Sequence, residues 1–205
     1  MLIEIDPIEP QAWLVARCAD VIRRGGVAVV PTDTVYGLAC GLSHVAAVKR
    51  IYQLKDLDPK KELALLVPDM QTAGRFAKGV TTPIFRMMKR VLPGPYTFIF
   101  QSSPEVPKIM LRKRKTIGIR FPDNPTLLAV LAELDEPLIS TSARTPDDDF
   151  ISDPLTIDEI YGARVDLVID GGPLDPEPST VVDFSEGTPQ LVRSAKGDVD
   201  RLELF

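Results

Sequence analysis

What most constrains this chain is a set of short apolar runs, four to six residues long and broken by Pro and Gly, of which VAVVP at 27–31 and LALLV at 63–67 are the clearest. Such a Val- and Leu-rich run reads as a strand covered on both faces, and none approaches the roughly 18–20 consecutive apolar residues of a membrane span. Helical periodicity fills the intervals. Trp13, Leu14, Cys18, Val21 and Ile22 recur at helical spacing up to a stop at Gly25-Gly26, and Val45, Val48, Ile51, Tyr52 and Leu54 mark the buried side of a helix over 44–54. Further helices are predicted from about Asp69, from Thr81 to about Leu92, and from Asn124, a capping residue followed by Pro125, to about Leu134. Strands are predicted at 96–100, 116–120, 137–140, 166–170, 180–184 and 190–194. Strands alternate with helices early and crowd together late, which predicts an α/β fold with a mixed, twisted, largely buried sheet flanked by helices. At 205 residues the chain is long enough for a substantial core, read as one domain over 1–205, and too short for a long TIM-type barrel.

Charge narrows the function. A net charge of −5 lacks the overall basic footprint of a general nucleic-acid binder, so any such binding must come from a local patch. Lys108, Arg112, Lys113, Arg114 and Lys115 supply one, with Arg120 close behind. The start, MLIEIDPIEP, carries acids and lacks the basic and apolar segments of a secretory signal, so the protein is expected in the cytoplasm. Two cysteines, Cys18 and Cys40, are too few for a disulfide scaffold and read as buried free thiols; with His44 as the single histidine, no zinc site is predicted. The run Asp147–Asp149 reads as a solvated loop, and no metal is assigned.

Polar clusters sit at predicted strand ends, where loops of α/β sheets gather ligand sites. PTDTVYGL offers Thr32, Thr34 and Tyr36; STSAR offers Ser140, Ser142 and Arg144; PSTVVD offers Ser179. Taken singly, each is a turn or a strand-end hydrogen-bond device. No Walker loop, Rossmann fingerprint or nucleophile elbow accompanies them. Hydroxyls and cations dominate instead, and Lys55, Arg120 and Arg193 suit carboxylate or phosphate oxygens through charge-assisted hydrogen bonds.

The order PTDTVYGL, LK, LPGPYTFIF, TIGIR, STSA, STVVDF and QLVRSAKGD resembles the YrdC-like superfamily over nearly the whole chain. That resemblance implies a twisted α/β sandwich with a large positively charged cavity. It also implies a relation to synthesis of threonylcarbamoyl-adenylate from threonine, bicarbonate and ATP with Mg²⁺, the step that feeds threonylcarbamoyladenosine modification of tRNA. By the same resemblance, Thr34 and Arg120, with Ser179 beside them, match threonine-side contacts, while Lys55, Thr116, Ser142 and Arg193 match adenylate and phosphate contacts.

Two positions depart from the synthase pattern, whose Lys-x-Arg and Ser-x-Asn motifs read here Lys55-Asp56-Leu57 and Ser142-Ala143-Arg144. With RKRKTIGIR and the ending VVDFSEGTPQLVRSAKGD, these departures resemble the YciO branch. Losing one charged hydrogen bond costs about 1.5–3 kcal/mol, so Leu57 is expected to weaken a triphosphate site. Arg144 either blocks part of a nucleotide pocket or replaces the lost guanidinium. Three functions follow as expectations: a protein binding nucleotide or RNA phosphate, with tRNA or double-stranded RNA as partner; an active synthase using ATP and Mg²⁺; or a regulatory module that binds a nucleotide or small carboxylate without turnover. None requires a tightly bound cofactor, and no catalytic side chain is assigned.

Overall fold

The apolar runs become strands that share one sheet. In the computed structural model, which describes residues 1–56, 63–111 and 115–203, these are β1 (Leu2–Glu4), β2 (Ala28–Val30), β3 (Gly37–Gly41), β4 (Ala64–Leu66), β5 (Ala77–Lys78), β6 (Tyr96–Ser102), β7 (Thr116–Arg120), β8 (Leu138–Ser142), β9 (Leu167–Asp170), β10 (Thr180–Asp183) and β11 (Gln190–Arg193). They run β1-β9-β2-β3-β8-β4-β7-β6-β10-β11 across the sheet, with β5 paired to β6 off this path. Pairing is mixed: β1 and β2 lie parallel to β9, β4 to β7 and β10 to β6, while β3 runs antiparallel to both β2 and β8.

Two-residue alternation sends each apolar run into two cores. Val29, Leu65, Phe98, Ile119 and Ile139 face one side, joined by Val48 and Ile51 of α2 (Val45–Leu54), Phe76 of α3 (Met70–Phe76), Met88 of α4 (Thr82–Val91), Met110 of α5 (Lys108–Leu111) and Ile157 of α7 (Pro154–Tyr161). Val30, Leu66, Leu138 and Ile169 face the other, covered by Val15, Cys18 and Ile22 of α1 (Ala12–Arg23) and Leu127 and Leu131 of α6 (Pro125–Leu134). A fully buried Leu contributes on the order of 1.5–3 kcal/mol, so these two layers fix which face of each strand looks where. The second face is only partly roofed. Where α1 and α6 end, positions on β8, β4, β7, β6 and β10 carry Ser140, Ala64, Gly118, Thr97 and Val181, small or polar side chains that leave a concave surface.

Helix α6 begins as expected, with the Asn124 side chain accepting from Leu127 N at 2.9 Å and Pro125 in the first turn. Val45, read as part of a buried helical side, is 48% exposed in the first turn of α2, and Trp13, read in the helical repeat of α1, is 68% exposed. Trp13 lies two residues before Val15 and so points away from the stripe Val15, Cys18, Ala19 and Ile22. Strand β3 was not anticipated, because GLACG lacks the β-branched and aromatic residues that mark strands. Packing explains its composition: a Cβ on Gly37 would sit 2.6 Å from Ser140 Oγ on the neighbouring β8. Short β1, β5 and α5 also escaped the pattern, as did α7, although Asp153 caps it by accepting from Thr156 N at 2.8 Å. No described helix is long and apolar enough to cross a membrane.

Candidate functional site

The partly unroofed face of the sheet holds a pocket of about 210 Å³. Its floor is β4 and β7, with Ala64, Leu66 and Arg120; β8 and its continuation form one wall with Ser140, Ser142 and Arg144, and β10 and β11 the other with Ser179 and Arg193. Lys55, at the C-terminal end of α2, lines it too, and its Nζ donates to Ser142 O at 2.5 Å. Residues that are far apart in sequence thus meet because β8, β4 and β7 are neighbours and β10 follows β6.

Arg120 is the deepest of the cations. It ends β7, is 9% exposed, and its Nη2 donates to Asp33 Oδ1 and to Thr34 Oγ1, each at 2.8 Å. Burial pulls its proton affinity down, and the Asp33 carboxylate opposes that shift. The loop before β3 is braced for this contact: Thr32 Oγ1 accepts from Thr34 N at 3.0 Å and donates to Val35 O at 2.7 Å, and Asn124 Nδ2 reaches Thr32 O at 3.4 Å. Asp33 Oδ2 and Arg120 Nε are buried without a protein partner among the described residues. Buried polar atoms of this kind ordinarily have a partner, in protein, water or ligand.

Arg193 comes from the opposite wall. Its Nε donates to Ser179 O at 2.9 Å and its Nη2 to Ser179 Oγ at 3.3 Å, while Ser179 Oγ and Thr97 Oγ1 are 2.7 Å apart. These partners are neutral, and the proton affinity of Arg193 is lowered first by burial and then by the charges of Arg120 and Arg144. Three guanidinium groups therefore share one field, which an oxyanion between them would relieve.

Of the residues singled out from sequence, Arg120, Ser140, Ser179, Lys55, Ser142, Arg144 and Arg193 line this pocket together. Thr34 stands behind Arg120 as its hydrogen-bond partner and is itself buried. Three others are placed elsewhere. Thr32 is spent on the turn just described. Tyr36 points to the helix-covered core on the far side of the sheet, where its hydroxyl donates to Gly172 O at 2.6 Å and accepts from Gly171 N at 3.2 Å. Burial lifts its proton affinity above the ordinary phenol range. Thr116 begins β7, at the end opposite Arg120, and does not line the pocket. Alternation accounts for Tyr36: in the strand-like run leading into β3 it takes the opposite face from the pocket.

Of the basic cluster, Lys108 and Lys115 line a separate depression of about 500 Å³ together with Lys78 and Gln101. Arg112, Lys113 and Arg114 lie outside the described residues, as does Leu57. Sequence reasoning overlooked Asp33 and Thr97. Asp33 was detectable as the acid flanked by two hydroxyl residues in PTDT; Thr97 was hidden inside an apolar strand, as the side chain facing away from Tyr96 and Phe98. Cys18 and Cys40 are free and buried, and burial pushes their thiols up to about 11 and about 12. Among the described residues no group of three or more His, Cys, Asp or Glu side chains is placed to hold a metal ion.

A family model for Sua5, YciO and YrdC proteins, described as "Telomere recombination", matches residues 20–195. The chain belongs to the Sua5/YciO/YrdC family. It is 40% identical over 197 residues to the protein YciO of Escherichia coli, covering 95% of each chain, and 35% identical over 188 residues to the mouse threonylcarbamoyl-AMP synthase, covering 86% of this chain and 65% of that one. The Escherichia coli YciO crystal structure superposes with a TM-score of 0.93 at 39% identity over 98% of both chains. The Pyrococcus abyssi Sua5 structure complexed with L-threonine matches with a TM-score of 0.93 at 25% identity, over 99% of this chain and 60% of that one. The mixed sheet flanked by helices is thus common to this chain, YciO and Sua5, and the relatives of this chain include threonylcarbamoyl-AMP synthases.

Proposed function

We propose that this protein binds the phosphate of a nucleotide or an RNA in the pocket between β8 and β11, in cytoplasmic chemistry related to threonylcarbamoyladenosine modification of tRNA. The observation that carries the reading is the convergence of Arg120, Arg144 and Arg193, with Lys55, on one small cavity. Typical sites for drug-sized ligands are roughly 300–1,000 Å³, so the pocket suits a phosphoryl group, with the rest of the ligand leaving through its mouth. The depression carrying Lys78, Lys108 and Lys115 supports tRNA or double-stranded RNA as the larger partner, because phosphate neutralisation supplies most sequence-independent affinity.

A second reading, synthesis of threonylcarbamoyl-adenylate from ATP, threonine and bicarbonate with Mg²⁺, is favoured by Asp33 Oδ2 and Arg120 Nε. An amino-acid zwitterion brings one ammonium and one carboxylate, the two groups those orphaned atoms lack. The Sua5 structure complexed with L-threonine lends this support. In such a reaction, the residues here would position the carbamate near the α-phosphate and stabilise its developing charge, without a protein nucleophile.

Pyrophosphate release with ATP, threonine, bicarbonate and Mg²⁺, measured beside a Lys55→Ala control, separates the readings. Release that vanishes in the control establishes synthesis. No release, together with nucleotide or tRNA binding weakened in Lys55→Ala, establishes phosphate binding without synthesis. If the native protein neither releases pyrophosphate nor binds nucleotide or tRNA, both readings fail.

A further inference from the structure

Lys55 reaches the pocket from the end of a helix, and that end is held from outside the pocket. Lys55 caps α2: its N donates to Ile51 O at 3.3 Å, and the next amide, Asp56 N, donates to Gln53 O at 3.4 Å. Both bonds are longer than the roughly 2.9–3.0 Å of an ordinary amide hydrogen bond. A helix leaves its last carbonyls without partners inside the helix, and cationic side chains commonly cover them, but α2 has no basic residue in its last turn. Arg164 supplies the cation from another element. It follows α7, and its Nη2 donates to Leu54 O at 2.6 Å, the carbonyl of the peptide bond that carries the Lys55 amide.

Arg164 is itself fixed at both backbone groups. Its N donates to Tyr161 O at 2.7 Å, and its O accepts from Arg50 Nη2 at 2.6 Å. Arg50 belongs to α2, and its Nη1 pairs with Asp166 Oδ2 at 2.5 Å, an oxygen that also accepts from Val27 N at 2.8 Å at the entry to β2. The segment between α7 and β9 therefore grips α2 twice, once through the Arg50 side chain and once at Leu54 O. Arg50 and Asp166 are 39% and 40% exposed, so their ion pair adds little stability, and its consequence is geometric. Geometry matters at Lys55 because its ammonium is a point charge on a flexible four-carbon stem, aimed by the backbone that carries it. Arg164 is exposed and is not among the residues that line the pocket.

We propose that Arg164 is a positioning residue for Lys55, fixing the last turn of α2 so that the ammonium stands at the pocket, with Arg50 and Asp166 as its brace. The proposal rests on the phosphate-binding reading and deepens it, placing part of the control of affinity in a side chain that touches no ligand.

Calorimetric titration with inorganic pyrophosphate tests it, on the native protein, Lys55→Ala, Arg164→Ala, Arg164→Lys and the double variant Lys55→Ala with Arg164→Ala, each followed also in urea unfolding. Lys55→Ala is expected to lose about 10- to 150-fold in affinity, the range for one charged hydrogen bond. Arg164→Ala is expected to lose less, about 3- to 30-fold, within the range for coupled members of one network. Arg164→Lys, which returns a cation to the helix end, is expected to recover part of that loss. The double variant is expected to bind no more weakly than Lys55→Ala alone, because Arg164 acts only through Lys55. Losses that add in the double variant would mean that Arg164 acts on the anion by its own field or by a general loosening of the fold, and overturn the proposal. Native affinity in Arg164→Ala overturns it too, as does native affinity in Lys55→Ala; in both cases phosphate binding by the arginines still stands. If the native protein does not bind pyrophosphate, the phosphate-binding reading falls and the proposal with it.

Discussion

Arg120 and Asp33 form an ion pair closed off from solvent: Nη2 and Oδ1 are 2.8 Å apart, and the two side chains are 10% and 7% exposed. The pair joins the floor of the sheet to the loop before β3, 87 positions away in sequence. Among the described residues, each partner keeps one buried polar atom without a hydrogen bond. A pair of this kind contributes little net stability by itself, because desolvation of both charges offsets their attraction, but the loss of either member strands the other.

Asp33→Ala is therefore expected to destabilise the fold by about 3–5 kcal/mol, the cost of leaving a buried guanidinium uncompensated. Replacing both residues by apolar ones, Asp33→Leu with Arg120→Met, is expected to recover most of that loss. Urea denaturation of the two proteins measures the difference. A single variant as stable as the native protein would mean that water enters freely around Arg120.

Tyr36 separates structure from function within one motif. Its hydroxyl joins the segment entering β3 to Gly171 and Gly172 on the face away from the pocket. Tyr36→Phe leaves Gly171 N and Gly172 O short of a partner and is expected to cost about 1–3 kcal/mol in thermal or urea unfolding. Pyrophosphate affinity is expected to stay at the native value. A selective loss of affinity, with stability intact, would place the hydroxyl at the ligand instead.

The contrast between Tyr36 and Arg120 shows what the sequence makes legible. Apolar runs such as LALLV announce strands because burial on both faces demands that composition, and Asn124-Pro125 announces a helix start because the capping chemistry is local. The cations and hydroxyls at strand ends were visible for the same reason. Which of them share a pocket depends on the order of strands, and nothing local in TIGIR or QLVRS says that β7 and β11 lie three places apart in one curved sheet. Strand β3 was illegible because its small residues answer a neighbour, Ser140, and carry no propensity of their own.

Buried thiols give the protein an alkaline limit. Folding raises the Cys18 and Cys40 thiols from an ordinary value of 9.0 to about 11 and about 12, mainly through desolvation. Above the ordinary value the unfolded chain has released these protons and the native protein still holds them, so stability falls as pH rises. The contribution is complete below about 9 and is lost progressively as pH climbs through the folded values. Each thiol adds up to about 1.4 kcal/mol per pH unit to that slope. A Cys18→Ala, Cys40→Ala double variant is expected to show a shallower alkaline decline in urea unfolding, and the native protein to resist thiol labelling at neutral pH until denatured. An unchanged slope would show that the thiols are wetter than their burial implies.

Lys78, Lys108 and Lys115 line a depression that, among the described residues, shares no lining residue with the pocket of Arg120 and Arg193, so the proposed RNA binding and small-anion binding are separable. If RNA lies along that depression, its affinity falls linearly with the logarithm of salt concentration, and each lysine that neutralises a phosphate contributes about one to the slope. Lys108→Ala with Lys115→Ala is expected to weaken tRNA binding and flatten its salt dependence by about two. Pyrophosphate affinity is expected to be unaffected. Competition supplies the complementary measurement: an RNA phosphate that enters the pocket is displaced by pyrophosphate, whereas RNA held only at the lysines is not. Full displacement in the native protein, with a salt slope unchanged in the double lysine variant, would assign RNA recognition to the arginines of the pocket and remove the lysine depression from it.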